Sequence, residues 1–130
     1  GLSNVDISKL IKFHLRNKPI VTLTSIKPTP HFGKIIFKGN KVVKFLEKDK
    51  KKESWINGGF FVFEKKVFKY LNKKNTIFES DTLEFLAKKN KLLAYKHKDF
   101  WQCMDTMRDK RYLNNLWNSN NAPWKIWQDE

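Results

Sequence analysis

Four polar residues in this chain stand where strands end: Glu47 and Lys48 after an apolar run, Asn57 before a glycine pair, and Asp105 before a helix. A carboxylate at a strand-to-helix junction on the carboxyl edge of a sheet is where open α/β folds place ligand groups. Gly58 and Gly59 interrupt the strand-like run Trp55-Ile56-Asn57-Gly58-Gly59-Phe60-Phe61-Val62-Phe63. Glycine weakens a strand interior, so its usual reason there is close approach of a ligand or of another backbone. Together these residues read as a pocket wall. On pattern alone each also has a simpler structural reading. Glu47 and Lys48 are then exposed hairpin-end charges, Asn57 satisfies backbone groups at a bulge, and Asp105 caps the next helix.

Other chemistries find little support. His14, His31 and His97 share no metal-binding spacing with one another or with Cys103. There is no serine elbow, P-loop or HExxH motif. His14 reads as a helix-face residue, and Cys103 as a small buried apolar group.

The elements that position these residues follow from periodicity. Asn4 or Asp6 caps a helix running to about residue 17, with Ile7, Leu10, Ile11 and Leu15 at helical spacing. Residues 20–26 are rich in β-branched side chains and lack charge, which predicts a buried strand. Residues 33–37 and 41–46 flank a Lys-Gly-Asn turn and predict a hairpin. A strand over 55–63 precedes a short helix over 65–71. Ser80 or Asp81 caps a helix to residue 89. Short strands follow at 92–96 and 100–104, then a helix from 106 to about 117. Alternating strands and helices make the class α/β with a mixed sheet.

The 130 residues suit a single domain. With 40% apolar residues, including eleven Phe and five Trp, the chain is not a disordered tail. No apolar run is long enough to cross a bilayer, so no membrane partner is expected. The lone cysteine suits a reducing cytoplasm. The first residue is Gly, not Met, which points to an upstream segment or a fragment. The net charge of +14 comes from 27 basic and 13 acidic residues, and all but Arg16, Arg108 and Arg111 are lysine. Nucleic-acid readers lean on arginine for bidentate contacts. No nucleic-acid partner is therefore expected; a basic module with aromatic platforms for single strands is the alternative from another class. A positive surface also steers small phosphorylated substrates.

Five segments, in order, resemble the sugar-1-phosphate nucleotidylyltransferase family: the opening Gly1-Leu2-Ser3-Asn4-Val5-Asp6, then Phe45-Leu46-Glu47-Lys48, then Trp55-Ile56-Asn57-Gly58-Gly59-Phe60-Phe61-Val62, then Trp101-Gln102-Cys103-Met104-Asp105-Thr106-Met107-Arg108-Asp109-Lys110, and the end Ala122-Pro123-Trp124-Lys125-Ile126-Trp127. The wording of the third, fourth and last is similar to the branch that joins CTP and glucose 1-phosphate. The resemblance implies a doubly wound, Rossmann-like fold with a mixed sheet, of which this is the carboxyl-terminal half. Residues 1–118 would be the sugar-phosphate-binding half and residues 119–130 an aromatic tail. It implies attack of the phosphate of α-D-glucose 1-phosphate on the α-phosphorus of CTP, giving CDP-glucose and pyrophosphate, with Mg2+ as cofactor. Transfer of a thymidylyl or uridylyl group is the alternative within the family.

Carried over residue by residue, the resemblance makes Asp105 one of two metal-binding aspartates, the other lying just before Gly1. Glu47 would bind glucose hydroxyls and Lys48 the sugar phosphate. Ile56 and Asn57 would line the sugar, and Gly58 and Gly33 would let the backbone pass close to it. The pattern departs at Asp49, where proline is usual, and at His31, where arginine is common. The glycine-rich triphosphate loop of the family, G-x-G-T-R, does not occur among these residues. The resemblance further implies apolar sheet surface exposed where the other half packs. It also implies a homo-oligomer with Trp124 and Trp127 at contacts, and a product used for lipopolysaccharide O-antigen sugars.

Overall fold

A computed structural model describes residues 1–28, 34–46, 54–71 and 76–129. In chain order the elements are β1 (Leu2–Ser3), α1 (Ile7–Asn17), β2 (Val21–Ile26), β3 (Lys34–Lys38), β4 (Lys41–Leu46), β5 (Ile56–Phe63), α2 (Leu83–Lys88), β6 (Leu92–Lys96), β7 (Trp101–Gln102) and α3 (Met107–Asn118). A 3-10 helix spans Lys65–Tyr70, and a π-helical turn, Phe78–Thr82, leads directly into α2.

The apolar run at 21–26 becomes the central strand. β2 pairs antiparallel with β5 and parallel with β6, so the sheet is mixed, in the order β5-β2-β6. Successive strand residues face opposite ways, and both faces of β2 are covered. On one face Val21 joins Ile20, Val67, Leu83 and Leu86 in the core, with Phe61, Tyr70, Phe78 and Leu92 packed against it. On the other face Thr22 meets His14 of α1, and Tyr95 meets the Phe13 ring at 5.5 Å. Helices on both faces of a mixed sheet make the fold α/β. Exposed apolar side chains lie on β5 at Phe63 and along α1 at Ile7, Ile11 and Leu15, one turn apart.

α1 starts where Asp6 accepts the Lys9 N–H, and ends at Lys18 in the left-handed region. The expected hairpin is β3–β4, paired from Lys34↔Leu46 to Lys38↔Lys41. The start of α2 differs from expectation. Asp81 does not cap it; its carboxylate accepts the Ile77 N–H at 2.9 Å, and the π-helical turn takes the place of a capped first turn. The strand expected at 100–104 is only Trp101–Gln102, paired antiparallel with β1 through Leu2↔Gln102 and Ser3↔Trp101. Past Gln102 the backbone turns to meet Asp109.

His14 is not a surface helix residue. It is buried, with Nδ1 2.8 Å from Thr22 Oγ1 and Nε2 2.9 Å from Glu64 Oε1. Both ring nitrogens are within hydrogen-bond distance of a partner. One side chain thus ties α1, β2 and the end of β5 together.

Candidate functional site

Gly33, Glu47 and Lys48 lie outside the described residues, as do His31 and Asp49. Ile56, Asn57, Gly58 and Asp105 are described.

Between Leu23↔Phe61 and Ser25↔Asn57 the register of β2 and β5 shifts, so that Gly58, Gly59 and Phe60 oppose Thr24 alone. The two glycines serve this bulge differently. A Cβ on Gly58 would sit 3.1 Å from both Ile26 Cγ2 and the Thr24 carbonyl oxygen. Gly59 has φ +86° and open space around it, so its requirement is conformational. The close approach at Gly58 is therefore to the chain's own central strand. Asn57 Oδ1 accepts the Gly59 N–H at 2.9 Å, the backbone-satisfying role its position allowed. Thr24 Oγ1, buried beside the bulge, has no hydrogen-bond partner among the described residues.

Strand alternation puts Ile56 and Gly58 on one face of β5 and Asn57 on the other. Trp101 connects β7 to β5: its indole N–H donates to the Gly58 carbonyl at 2.9 Å. At the same end of the sheet, the Lys27 and Lys96 ammonium groups lie 5.1 and 5.4 Å from the Trp55 ring centroid. These contacts set positive charge beside the strand that carries Ile56 and Asn57.

Asp105 is exposed, three residues beyond β7. It does not cap α3. Thr106 does, accepting the Asp109 N–H at 3.1 Å, while Asp109 accepts back from the Thr106 N–H at 3.2 Å. The Asp105 carboxylate takes no hydrogen bond from the described residues. Asp109 was not singled out from the sequence, although Thr106-x-x-Asp109 has the spacing of a capping box with Asp in place of the usual Glu or Gln. Its Oδ2 also accepts the Asp105 N–H at 3.1 Å and the Cys103 thiol at 3.6 Å, and its Oδ1 accepts from Gln102 Nε2 at 3.3 Å. Desolvation, the largest single influence, acts to raise the Asp109 pKa. The hydrogen bonds from Asp105, Thr106 and Cys103 outweigh it and hold the carboxyl below its ordinary value. Burial, and then the Asp109 charge, push the Cys103 thiol up. Cys103 is half-buried and hydrogen-bonded rather than a simple apolar filler.

β1 is docked beside β7 by Ser3, whose hydroxyl donates to the Phe100 carbonyl at 2.7 Å and lies 3.3 Å from His97 Nε2. A Cβ on Gly1 would come within 3.0 Å of the Gln102 carbonyl oxygen, so β1 begins in close contact with β7. After α3 the chain returns to the same region, where the Trp124 ring lies 5.8 Å from Phe100 and 6.4 Å from Trp117.

Among the described residues no group of three or more His, Cys, Asp or Glu side chains stands ready to hold a metal ion. A single exposed carboxylate still fits one kind of ion. Mg2+ takes one or two carboxylates and completes its octahedron with water and substrate phosphates. Asp105 offers the hard oxygen donors that such a site needs.

This chain is 40% identical to glucose-1-phosphate cytidylyltransferase of Salmonella typhimurium over 98% of its own length. The match to the protein of the same name from Salmonella typhi is equally close. The chain spans about half the length of these relatives. A Bacillus anthracis structure, described as a glucose-1-phosphate thymidylyltransferase in complex with a sucrose, superposes with a TM-score of 0.64 at 19% identity. That match covers 99% of this chain and 53% of the other, and it shows the shared fold. The model of the nucleotidyl transferase family matches residues 2–129. The chain therefore belongs to the nucleotidyl transferase family.

Proposed function

We propose that this chain is the sugar-phosphate-binding half of an enzyme that transfers a cytidylyl group from CTP to α-D-glucose 1-phosphate, releasing pyrophosphate. The observation that carries the reading is the exposed carboxylate of Asp105 beyond the β1–β7 pair. β1 runs antiparallel to β7, so the start of β1 lies towards the Asp105 end of β7. A second aspartate supplied from before Gly1 would approach the first from that end. The nucleophile is already an anion, so the chemistry needs positioning and charge neutralisation more than proton transfer.

Asp105 would hold Mg2+. Lys48 neutralises the sugar phosphate, and Glu47 accepts from the glucose hydroxyls. Ile56, Asn57, Gly58 and Gly33 line the sugar. Bound Mg2+ offsets the charge of the phosphates. The reaction belongs in the cytoplasm, and the enzyme assembles as a homo-oligomer that uses the exposed Trp127 and its neighbours. CDP-glucose then feeds synthesis of O-antigen sugars.

The 130 residues alone do not catalyse the reaction, because the glycine-rich loop that binds the triphosphate is not among them. The test joins this chain to the half of the Salmonella typhimurium protein that it does not match. CTP- and glucose-1-phosphate-dependent pyrophosphate release is then followed, with UTP and dTTP in parallel. Activity with CTP, lost in Asp105→Asn and Lys48→Ala, supports the reading. Equal activity in those variants, or a preference for UTP or dTTP, rejects the corresponding assignment.

A further inference from the structure

We propose that Asp109 is a positioning residue: its carboxylate fixes the direction in which Asp105 presents its own to a metal ion. This rests on the reading of Asp105 as a metal ligand.

A helix cap of this kind needs only the reciprocal pair, Thr106 Oγ1 with the Asp109 N–H and the Asp109 carboxylate with the Thr106 N–H. Asp109 does more. Oδ2 also takes the N–H of Asp105 itself at 3.1 Å and the Cys103 thiol at 3.6 Å, while Oδ1 takes the Gln102 side-chain amide at 3.3 Å. The contacts beyond the cap run back along the chain to the last residue of β7. One carboxylate therefore gathers the whole connection from strand to helix. Held by its own N–H, Asp105 has its backbone pinned between β7 and α3, and its Cα–Cβ direction follows. Its carboxylate, free of partners among the described residues, is left for the ligand. Ligating carboxylates gain from neighbours that orient them, and here the orienting bond acts on the backbone.

The experiment uses the whole chain and Mn2+ alone as the probe, read as paramagnetic broadening of amide signals around residues 104–107. Thermal melting of each variant is followed in parallel. Broadening centred there and lost in Asp105→Asn is expected. Persistence in that variant shows that the metal reading itself fails, and takes the proposal with it. With that control met, Asp109→Asn should weaken Mn2+ binding about tenfold, the lower end of what outer-shell changes cost. Thr106→Ala removes the cap but leaves Asp109 bonded to the Asp105 N–H, so it should lower the melting temperature and keep the Mn2+ affinity. Asp109→Glu retains both carboxylate and cap and should restore most of the affinity. This variant decides the matter if Asp109→Asn does not fold. The proposal is overturned if Asp109→Asn binds Mn2+ as the natural chain does, if Thr106→Ala loses as much affinity as Asp109→Asn, or if Asp109→Glu binds no better than Asp109→Asn.

Discussion

The indole N–H of Trp101 donates a 2.9 Å hydrogen bond to the carbonyl of Gly58, across 43 residues of sequence. It is the described contact that ties the short β1–β7 pair, and with it the Asp105 turn, to the bulged strand β5. Trp101→Phe keeps most of the ring and strands the Gly58 oxygen. A loss of about 1 kcal/mol is expected, seen as a drop of roughly 3–5 °C in melting temperature. An unchanged melt would mean that the Gly58 carbonyl finds another partner.

The two glycines of the bulge should fail in different ways. Gly58→Ala drives a methyl to 3.1 Å from a backbone oxygen of β2 and from Ile26, and overpacking of this kind costs about 1–3 kcal/mol. Gly59→Ala meets no atom but must hold φ near +86°, a strain of roughly 1–2 kcal/mol. Asparagine tolerates positive φ better than alanine. Gly59→Asn should therefore be more stable than Gly59→Ala, whereas Gly58→Asn should be worse than Gly58→Ala. Urea denaturation of the four variants gives the order.

His14 should be worth more to stability than its place on a helix suggests. His14→Ala removes a buried ring and leaves the Thr22 hydroxyl, itself fully buried, without a partner. A cost of about 2–4 kcal/mol is expected from the cavity and the stranded group together. Glu64→Gln should cost under about 1 kcal/mol, because that side chain is 45% exposed and its charge is screened. Equal losses in the two variants would show that the bond to Glu64, not the buried bond to Thr22, carries the effect.

The Asp109 turn should respond to acid and to thiol reagents. The Asp109 carboxyl is held below its ordinary value in the folded chain. Its contribution to stability is then complete above the unfolded carboxylate range and is lost as pH falls through the lowered value. Asp109→Asn should flatten that acid limb of the stability curve; an unaltered slope would contradict it. Cys103 shifts upward, by burial first and by the Asp109 charge second. At mildly alkaline pH less of it is thiolate than in the unfolded chain, so alkylation should be slower in the folded protein than in urea.

Much of the fold was legible because its signals are local. The 3.6-residue period of Ile7, Leu10, Ile11 and Leu15, with Asp6 ahead of it, specified α1. An uncharged β-branched run marked β2 as the strand covered on both faces. The paired glycines signalled a close approach, which the structure makes to the chain's own central strand at a bulge. The turn that carries Asp105 was half legible. Thr106-x-x-Asp109 encodes the cap, but the extra bonds to Gln102, Cys103 and the Asp105 N–H appear only when strand and helix are joined in space.

By itself, then, the chain determined most of its elements, its mixed α/β class and the positions of its candidate polar residues, since period, capping and backbone preference act over a few neighbours. Tertiary structure alone decided that Leu2–Ser3 is a strand, because its partner lies about a hundred residues away and two residues carry no period of their own. It decided that His14 is buried between Thr22 and Glu64, a contact across 50 residues that no helical spacing encodes. It also decided that Gly58 yields to Ile26 and Thr24, and that Asp109, not Asp105, takes the hydrogen bonds of the turn among the described residues. Those outcomes depend on which distant groups meet, and local sequence does not carry that information.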